Sequence, residues 1–403
     1  MNPVPASSSP EANPMPAAEP LQGSPRAEVA DFAEGAGAGA GSGAVHADWL
    51  KPFRPRRGLH NAHLQTIAGN FMRRQGAMPA LSEELVVPVE PAHLYSDRER
   101  PDPQHPDGWP VPETAVMCLC HWQPEAHTRL TVVLVHGLEG SASSGYVLGN
   151  TARLWADGCN VVRMNMRSCG GTDALAPTIY HSGRSEDVAA VVEALHARGF
   201  TRIALIGYSM GGNLVVRYAG QQSVLPPEQR CPALCAVAGV SPLLDLAPSS
   251  RALHLPGNRL YERRFLRAMK RRLRAKATLF PGLYQRLARE GVYARIRTMR
   301  DFDGEIVARF GGFADADDYY TQTSASQYAS RLAIPTVILH AADDPFIRTL
   351  PETSRALQAN RWVRYVETSH GGHCAFLGDP LAGDQGRWAE ETLARWLATE
   401  VGA

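Results

Sequence analysis

Three side-chain types, far apart in the chain, could together carry out acyl chemistry. Ser209 lies in Gly207-Tyr208-Ser209-Met210-Gly211, Asp343 and Asp344 in HAADDPF, and His370 and His373 in SHGGHCAF. A serine hydroxyl is a weak nucleophile until a base takes its proton; histidine can do so when a carboxylate orients it and stabilises its charge. The chemistry would be attack on a carbonyl carbon, a covalent acyl-serine, and release of the leaving group. The glycines follow from crowding. At a tight strand-to-helix turn, a side chain at 207 or 211 would strike neighbouring backbone, while the Ser209 hydroxyl points into a cleft. The pentapeptide alone also fits a Gly/Ser turn without function. The acid and histidine loops, in that order behind it, decide for the nucleophile.

Asp344, directly before Pro345, is the expected triad acid, with Asp343 capping the loop. His373 is the expected base and His370 a supporting hydrogen-bond residue. The tetrahedral oxyanion needs two N–H donors. Met210 offers one at the start of a helix, and Leu138 another in VVLVHGLEGS. His136 is expected to hold that loop; Glu139 either contacts substrate or caps the next helix. The His and Asp spacing matches no metal-ligand motif, so neither metal nor cofactor is expected.

These residues must be placed by the elements around them. TVVLVHG, NVVRMNMR, RIALIGYS, LCAVAGVSP, TVILHAADDP and WVRYVETS are strand-length apolar runs, preceded by AVMCLCHW. Between them YVLGNTARLWADG and RSEDVAAVVEALHARG read as helices ending at Gly158 and Gly199. This alternation predicts an α/β fold, a mostly parallel, doubly wound sheet that binds ligands beyond the carboxyl ends of its strands. One stretch, about 243–331, interrupts it and is expected to form a helical lid. Its segment NRLYERRFLRAMKRRLRAKATLF repeats Tyr261, Phe265, Met269 and Leu273 at helical spacing. Arg263, Arg264, Arg267, Lys270, Arg271, Arg272 and Arg274 lie opposite; a solvated face is favoured over contact with an anionic membrane.

The chain has 403 residues, 44% hydrophobic and 20% charged, with a formal net charge of +1. That balance excludes a strongly basic nucleic-acid binder and fits a soluble globular protein. Residues 1–45, rich in Ala, Pro, Gly and Ser, read as a disordered tail, leaving 46–403 as the folded domain. Seven scattered cysteines suit a reducing cytoplasm, and neither a signal peptide nor a membrane-spanning run is legible. No obligate protein partner is indicated.

HNAHLQTI, VVLVHGLEGS, YHSGRSEDV, GYSMGGN, HAADDPF and HGGH together resemble the signature blocks of the abhydrolase-4 family of α/β-hydrolases. That family takes in bacterial YheT-like esterases and eukaryotic abhydrolase-domain lipases. The lid blocks NRLYERRF, RDFDGEIVARFGGF and DDYYTQTSA resemble it too, so the likeness runs from about Trp49 to the end. It implies the α/β-hydrolase fold and a Ser209–Asp344–His373 triad without a cofactor. It also implies esterase or acylglycerol-lipase activity on short or medium-chain acyl esters. Alcohol O-acyltransfer on the same triad is the alternative. The carboxylate-nucleophile chemistries of this fold, dehalogenation and epoxide hydrolysis, are excluded by Ser209. In the HNAHLQTI block the family usually has proline where this chain has Ala62; His60 and His63 are read as structural.

Overall fold

The computed structural model describes residues 48–72, 76–95, 108–382 and 385–402; the expected tail over 1–45 lies outside them. Eight strands form one sheet: β1 (Glu83–Glu90), β2 (Thr114–His121), β3 (Thr131–Val135), β4 (Asn160–Asn165), β5 (Ile203–Tyr208), β6 (Leu234–Val240), β7 (Thr336–Ala341) and β8 (Val363–Thr368). Their order is β1-β2-β4-β3-β5-β6-β7-β8. From β4 to β8 every pairing is parallel, while β2 runs antiparallel to both neighbours. Of these eight strands, β1 is the one that sequence reasoning did not mark. Pro88 and the bulge beside it break the alternation of EELVVPVE, which an edge strand tolerates because its outer side needs no ladder bonds.

Alternation along the central strands divides the core between the two faces. Val132 and Leu134 of β3 pack with Val147 and Leu154 of α2 (Gly145–Ala156) and with Trp388 and Leu393 of a C-terminal helix, Trp388–Trp396. Val133 and Val135 face the other way, with Val188 and Val191 of α3 (Ser185–Ala197) and Leu214 and Val215 of α4 (Met210–Val224). Gly158 and Gly199 follow α2 and α3 with φ of 83° and 93°, where a side chain would be strained.

The stretch between β6 and β7 is helical. It contains α5 (Leu246–Leu253), α6 (Arg259–Leu279), α7 (Pro281–Arg289) and α8 (Ala316–Thr323), together with a π-helical turn over Asp303–Ala308. Met269 and Leu273 of α6 are buried in the same core cluster as Val133 and Val135, as their spacing predicts. The basic face is less uniform than expected. Arg263, Arg264, Arg267, Arg271 and Arg274 are exposed, but Arg272 turns inward to pair with Glu139 at 3.0 Å and lies over the Tyr180 ring. No helix among the described residues is long and apolar enough to cross a membrane.

Candidate active site

Ser209 occupies the single residue between β5 and α4, with φ 54° and ψ −116°. A non-glycine residue here is strained, and such strain persists only where the surroundings impose it. They do so through backbone: Ser209 N–H donates to Val240 O at 2.9 Å, and Ser209 O accepts from Leu243 N–H at 3.1 Å. A Cβ on Gly207 would lie 2.2 Å from Gly211 O, and one on Gly211 would lie 2.4 Å from both Val135 O and His136 O. Strand and helix close on each other only because these positions have no side chain.

Asp344 and His373 meet beside it. His373 Nδ1 and Asp344 Oδ2 are 2.8 Å apart, and Asp344 Oδ1 accepts from the N–H groups of Phe346 and Ile347 at 3.1 and 2.9 Å. Asp344 is buried, which by itself would raise its pKa; His373 and these N–H groups outweigh burial and hold it below the usual carboxylate value. Asp343 has another task. Its Oδ1 accepts from Gly372 N–H at 2.9 Å, and its Oδ2 is 3.5 Å from His370 Nδ1. Thus Asp343 secures the turn that carries the histidine. Burial disfavours the imidazolium of His373, but Cys374 and Asp344 outweigh it and push its pKa up. His373 Nε2 lies 3.6 Å from Cys374 Sγ, and among the described residues no hydrogen bond joins it to Ser209 Oγ. Contacts of this kind commonly tighten only once substrate is bound.

The histidine loop is shaped by a helix whose purpose the sequence did not disclose. α1 (Ala62–Phe71) contains Gln65 and Thr66, both buried. Thr66 Oγ1 accepts from His373 N–H at 2.8 Å, and Gln65 Oε1 from Leu377 N–H at 2.7 Å. Gly372, at φ 57°, comes so close that a Cβ would be 2.7 Å from both Ala62 O and Thr66 Oγ1. His63 stacks on Tyr261 of α6, with Nδ1 3.2 Å from the hydroxyl. His60 meets the His370 ring edge-on. The signal available in HNAHLQTI was two adjacent polar residues among apolar ones, turned inward. Ala62 is the first residue of α1, capped by Asn61, a position where proline is favoured for its preset φ and costs no hydrogen bond.

The remaining expected groups come from the loop after β3. Gly137 packs against Ser209 so closely that a Cβ there would be 3.0 Å from Ser209 Cβ. This brings Leu138 beside the nucleophile, and Met210 begins α4 on its other side. Among the described residues no acceptor takes the N–H of Leu138 or of Met210. His136 is buried. Its Nε2 accepts from Met166 N–H at 3.2 Å, so the proton sits on Nδ1 and bonds Gly137 O at 2.8 Å; burial lowers its pKa to about 4. It holds the loop as a neutral imidazole. Glu139, left between two roles, does not cap α2, whose N-cap is Ser144. It accepts from the Tyr180 hydroxyl at 2.8 Å and pairs with Arg272, tying the loop to α6.

Ser209 stands between two spaces. One is an apolar cavity of about 100 Å³ beneath the helical insertion, lined by Leu138, Met210, Leu246, Phe265, Met269 and Val307 among others. The other is a larger cleft of about 490 Å³ on the His373 side, bordered by α1 and by Arg264, Arg267 and Arg271 of α6.

Residues 131–380 match the family described as alpha/beta hydrolase fold. Over 355 residues the chain is 32% identical to Escherichia coli (strain K12) YheT, spanning 87% of this chain and 94% of that protein. It is 27% identical over 278 residues to the Saccharomyces cerevisiae protein named monoacylglycerol lipase (66% of this chain, 58% of the relative). With phospholipase ABHD3 of Mus musculus it shares 29% identity over 255 residues, 63% of this chain and 60% of the relative. Among solved structures, a Pyrobaculum calidifontis esterase aligns with a TM-score of 0.46 at 17% identity, over 85% of this chain and 90% of that one. On the family match and the likeness to YheT, as its sequence blocks implied, this chain belongs to the α/β-hydrolase fold family.

Proposed function

We propose that the protein is a serine hydrolase that cleaves carboxylic esters of short or medium-chain acyl groups, monoacylglycerols among them. The observation that carries this is the 2.8 Å Asp344–His373 pair set beside a strained Ser209 at the junction of two cavities. Relatives named monoacylglycerol lipase and phospholipase support an ester of lipid type.

In this reading His373 takes the Ser209 proton as Oγ attacks the ester carbonyl, and Asp344 keeps the ring oriented and stabilises its positive charge. The Leu138 and Met210 N–H groups receive the oxyanion; one such donor is worth roughly 100-fold or more in turnover. His373 then protonates the leaving oxygen. Because that proton comes from His373, the alcohol lies on the His373 side, in the larger cleft, and the acyl chain enters the apolar cavity. The helical insertion over about 243–331 serves as the lid. Water next attacks the acyl-serine with His373 as base, releasing the acid. Seven free cysteines support a reducing, cytoplasmic setting.

Ser209→Ala is expected to abolish hydrolysis of p-nitrophenyl butanoate, with the wild-type fold retained by circular dichroism. Undiminished activity in that variant would refute the assignment. Transfer to an alcohol would use the same residues. Free acid as the sole product in the presence of added ethanol would establish hydrolysis, and an ethyl ester would establish transfer.

A further inference from the structure

The smaller cavity is not apolar throughout. At the wall formed by the insertion it meets Asp303, Tyr320 and Ser250, supplied by the π-helical turn, α8 and α5. Tyr320 OH lies 2.7 Å from Asp303 Oδ2 and 2.9 Å from Ser250 Oγ. Asp303 Oδ1 has no hydrogen-bond partner among the described residues, and Asp303 is the one carboxylate lining this cavity. A tie between α8 and the π turn needs only one of its two oxygens. The turn itself is notable. π-turns insert a residue into a helix at a cost in hydrogen bonding and recur at functional sites. Here the turn carries Asp303, the second aspartate of the RDFDGEIVARFGGF block, which the proposed triad leaves without a role.

From this juxtaposition we infer that Asp303, with Tyr320 and Ser250, forms a polar acyl subsite that selects short acyl chains bearing a hydroxyl group. The inference rests on the ester-hydrolase reading above and adds the substrate class.

The volume limits how much of the chain is held. An apolar protein cavity of roughly 150 Å³ accepts benzene, so about 100 Å³ surrounds a few carbons. An unsubstituted chain would bring apolar atoms against the free Asp303 oxygen and strip it of water with nothing in exchange. A buried polar group left unpaired in this way penalises the wrong ligand more strongly than a matched pair rewards the right one. Burial also holds the Asp303 pKa up, at about 7, so near neutrality the carboxyl can both donate and accept. A hydroxyl does the same. An ammonium would have to give up far more hydration than a hydroxyl to enter this cavity.

The test compares kcat/KM for p-nitrophenyl butanoate, 3-hydroxybutanoate, hexanoate, 6-hydroxyhexanoate and 6-aminohexanoate, on the full chain and on Asp303→Leu and Asp303→Asn. At one of the two lengths the wild type should prefer the hydroxyacyl ester by about tenfold, the worth of one well-made buried hydrogen bond. Asp303→Leu should erase that preference, and Asp303→Asn should retain part of it. Because the ratio is taken within each protein, a change that merely loosens the fold lowers both members and leaves it intact. Equal or lower kcat/KM for both hydroxyacyl esters in the wild type overturns the inference, even without a folded Asp303→Leu. So does a preference that survives Asp303→Leu, or one for the aminoacyl ester. Hydrolysis of the unsubstituted esters with no preference refutes the subsite alone; hydrolysis of none refutes the underlying function as well.

Discussion

Thr66→Val isolates the part played by α1. Valine matches threonine in shape, so the packing of this buried position is kept and the Oγ1 atom alone is lost. With it goes the acceptor for His373 N–H, 2.8 Å away. A buried N–H left unpaired costs about 1–3 kcal/mol. The molecule can take that cost in two ways. With the histidine loop held in place, stability falls. At roughly 2.1 cal/mol/K per residue over a domain of about 360 residues, the loss amounts to a Tm drop of about 1–4 °C. Alternatively the loop moves until the N–H finds water, and the imidazole leaves its line with Asp344 and the proposed nucleophile. If about 2 kcal/mol then appears in the activation barrier, kcat falls about 30-fold. Because Cys374 and Phe376, neither of them glycine, have positive φ, the loop is under tension that its contacts with α1 help to hold, so the second route is expected. The assay is kcat and KM on p-nitrophenyl butanoate alongside a thermal melt. The expected pattern is a fall in kcat with KM little changed, and recovery in Thr66→Ser, which restores the hydroxyl. A Thr66→Val enzyme with wild-type kcat and wild-type Tm would refute the reasoning, since the N–H would then not depend on Thr66.

Two further outcomes follow from the same loops. Asp344→Asn should lower kcat by about four orders of magnitude, because the amide leaves the imidazole in the wrong tautomer, whereas Asp343→Asn, whose oxygen still accepts from Gly372 N–H, should cost far less. Kinetics of the pair on one ester give the comparison, and equal losses would contradict the division of labour drawn here. The acidic limb of kcat/KM should lie above the ordinary histidine value near 6.5. His373 must be neutral to act as base, and its pKa is raised, so activity appears only as pH climbs through that raised value. Cys374→Ala removes the largest influence raising it and should move the limb to lower pH; an unmoved limb would show that the sulfur has no hold on the imidazole.

Much of this site was legible in the sequence because its signals are local. A strand, Gly-x-Ser-x-Gly and a helix within a score of residues specify the turn at Ser209, and Gly207 is required by the backbone of Gly211, although Gly211 is required by Val135 and His136 far off in the chain. The parallel strands β3 to β7 announced themselves as largely apolar runs covered on both faces. β1 did not, since Pro88 and one exposed face remove both the run and the alternation. Asp343 and Asp344 are chemically identical neighbours, so the choice between them rested on Pro345 and the family pattern; the tertiary turn sends one carboxylate to His373 and the other to Gly372 N–H. Gln65 and Thr66 escaped notice because their partners lie more than 300 residues away, at His373 and Leu377. Glu139 looked like a cap or a substrate contact until Arg272, drawn from a face expected to be solvated, closed on it.

The amino-acid sequence by itself determined the fold class, the order of the three loops and the identity of the candidate nucleophile, because propensity, crowding and periodicity act over short stretches of chain. The tertiary structure alone decided which carboxylate faces the imidazole, what holds the histidine loop, and that Ser209 stands between a small apolar cavity and a larger cleft. Those outcomes depend on side-chain direction and on contacts between segments hundreds of residues apart, and no local pattern carries either.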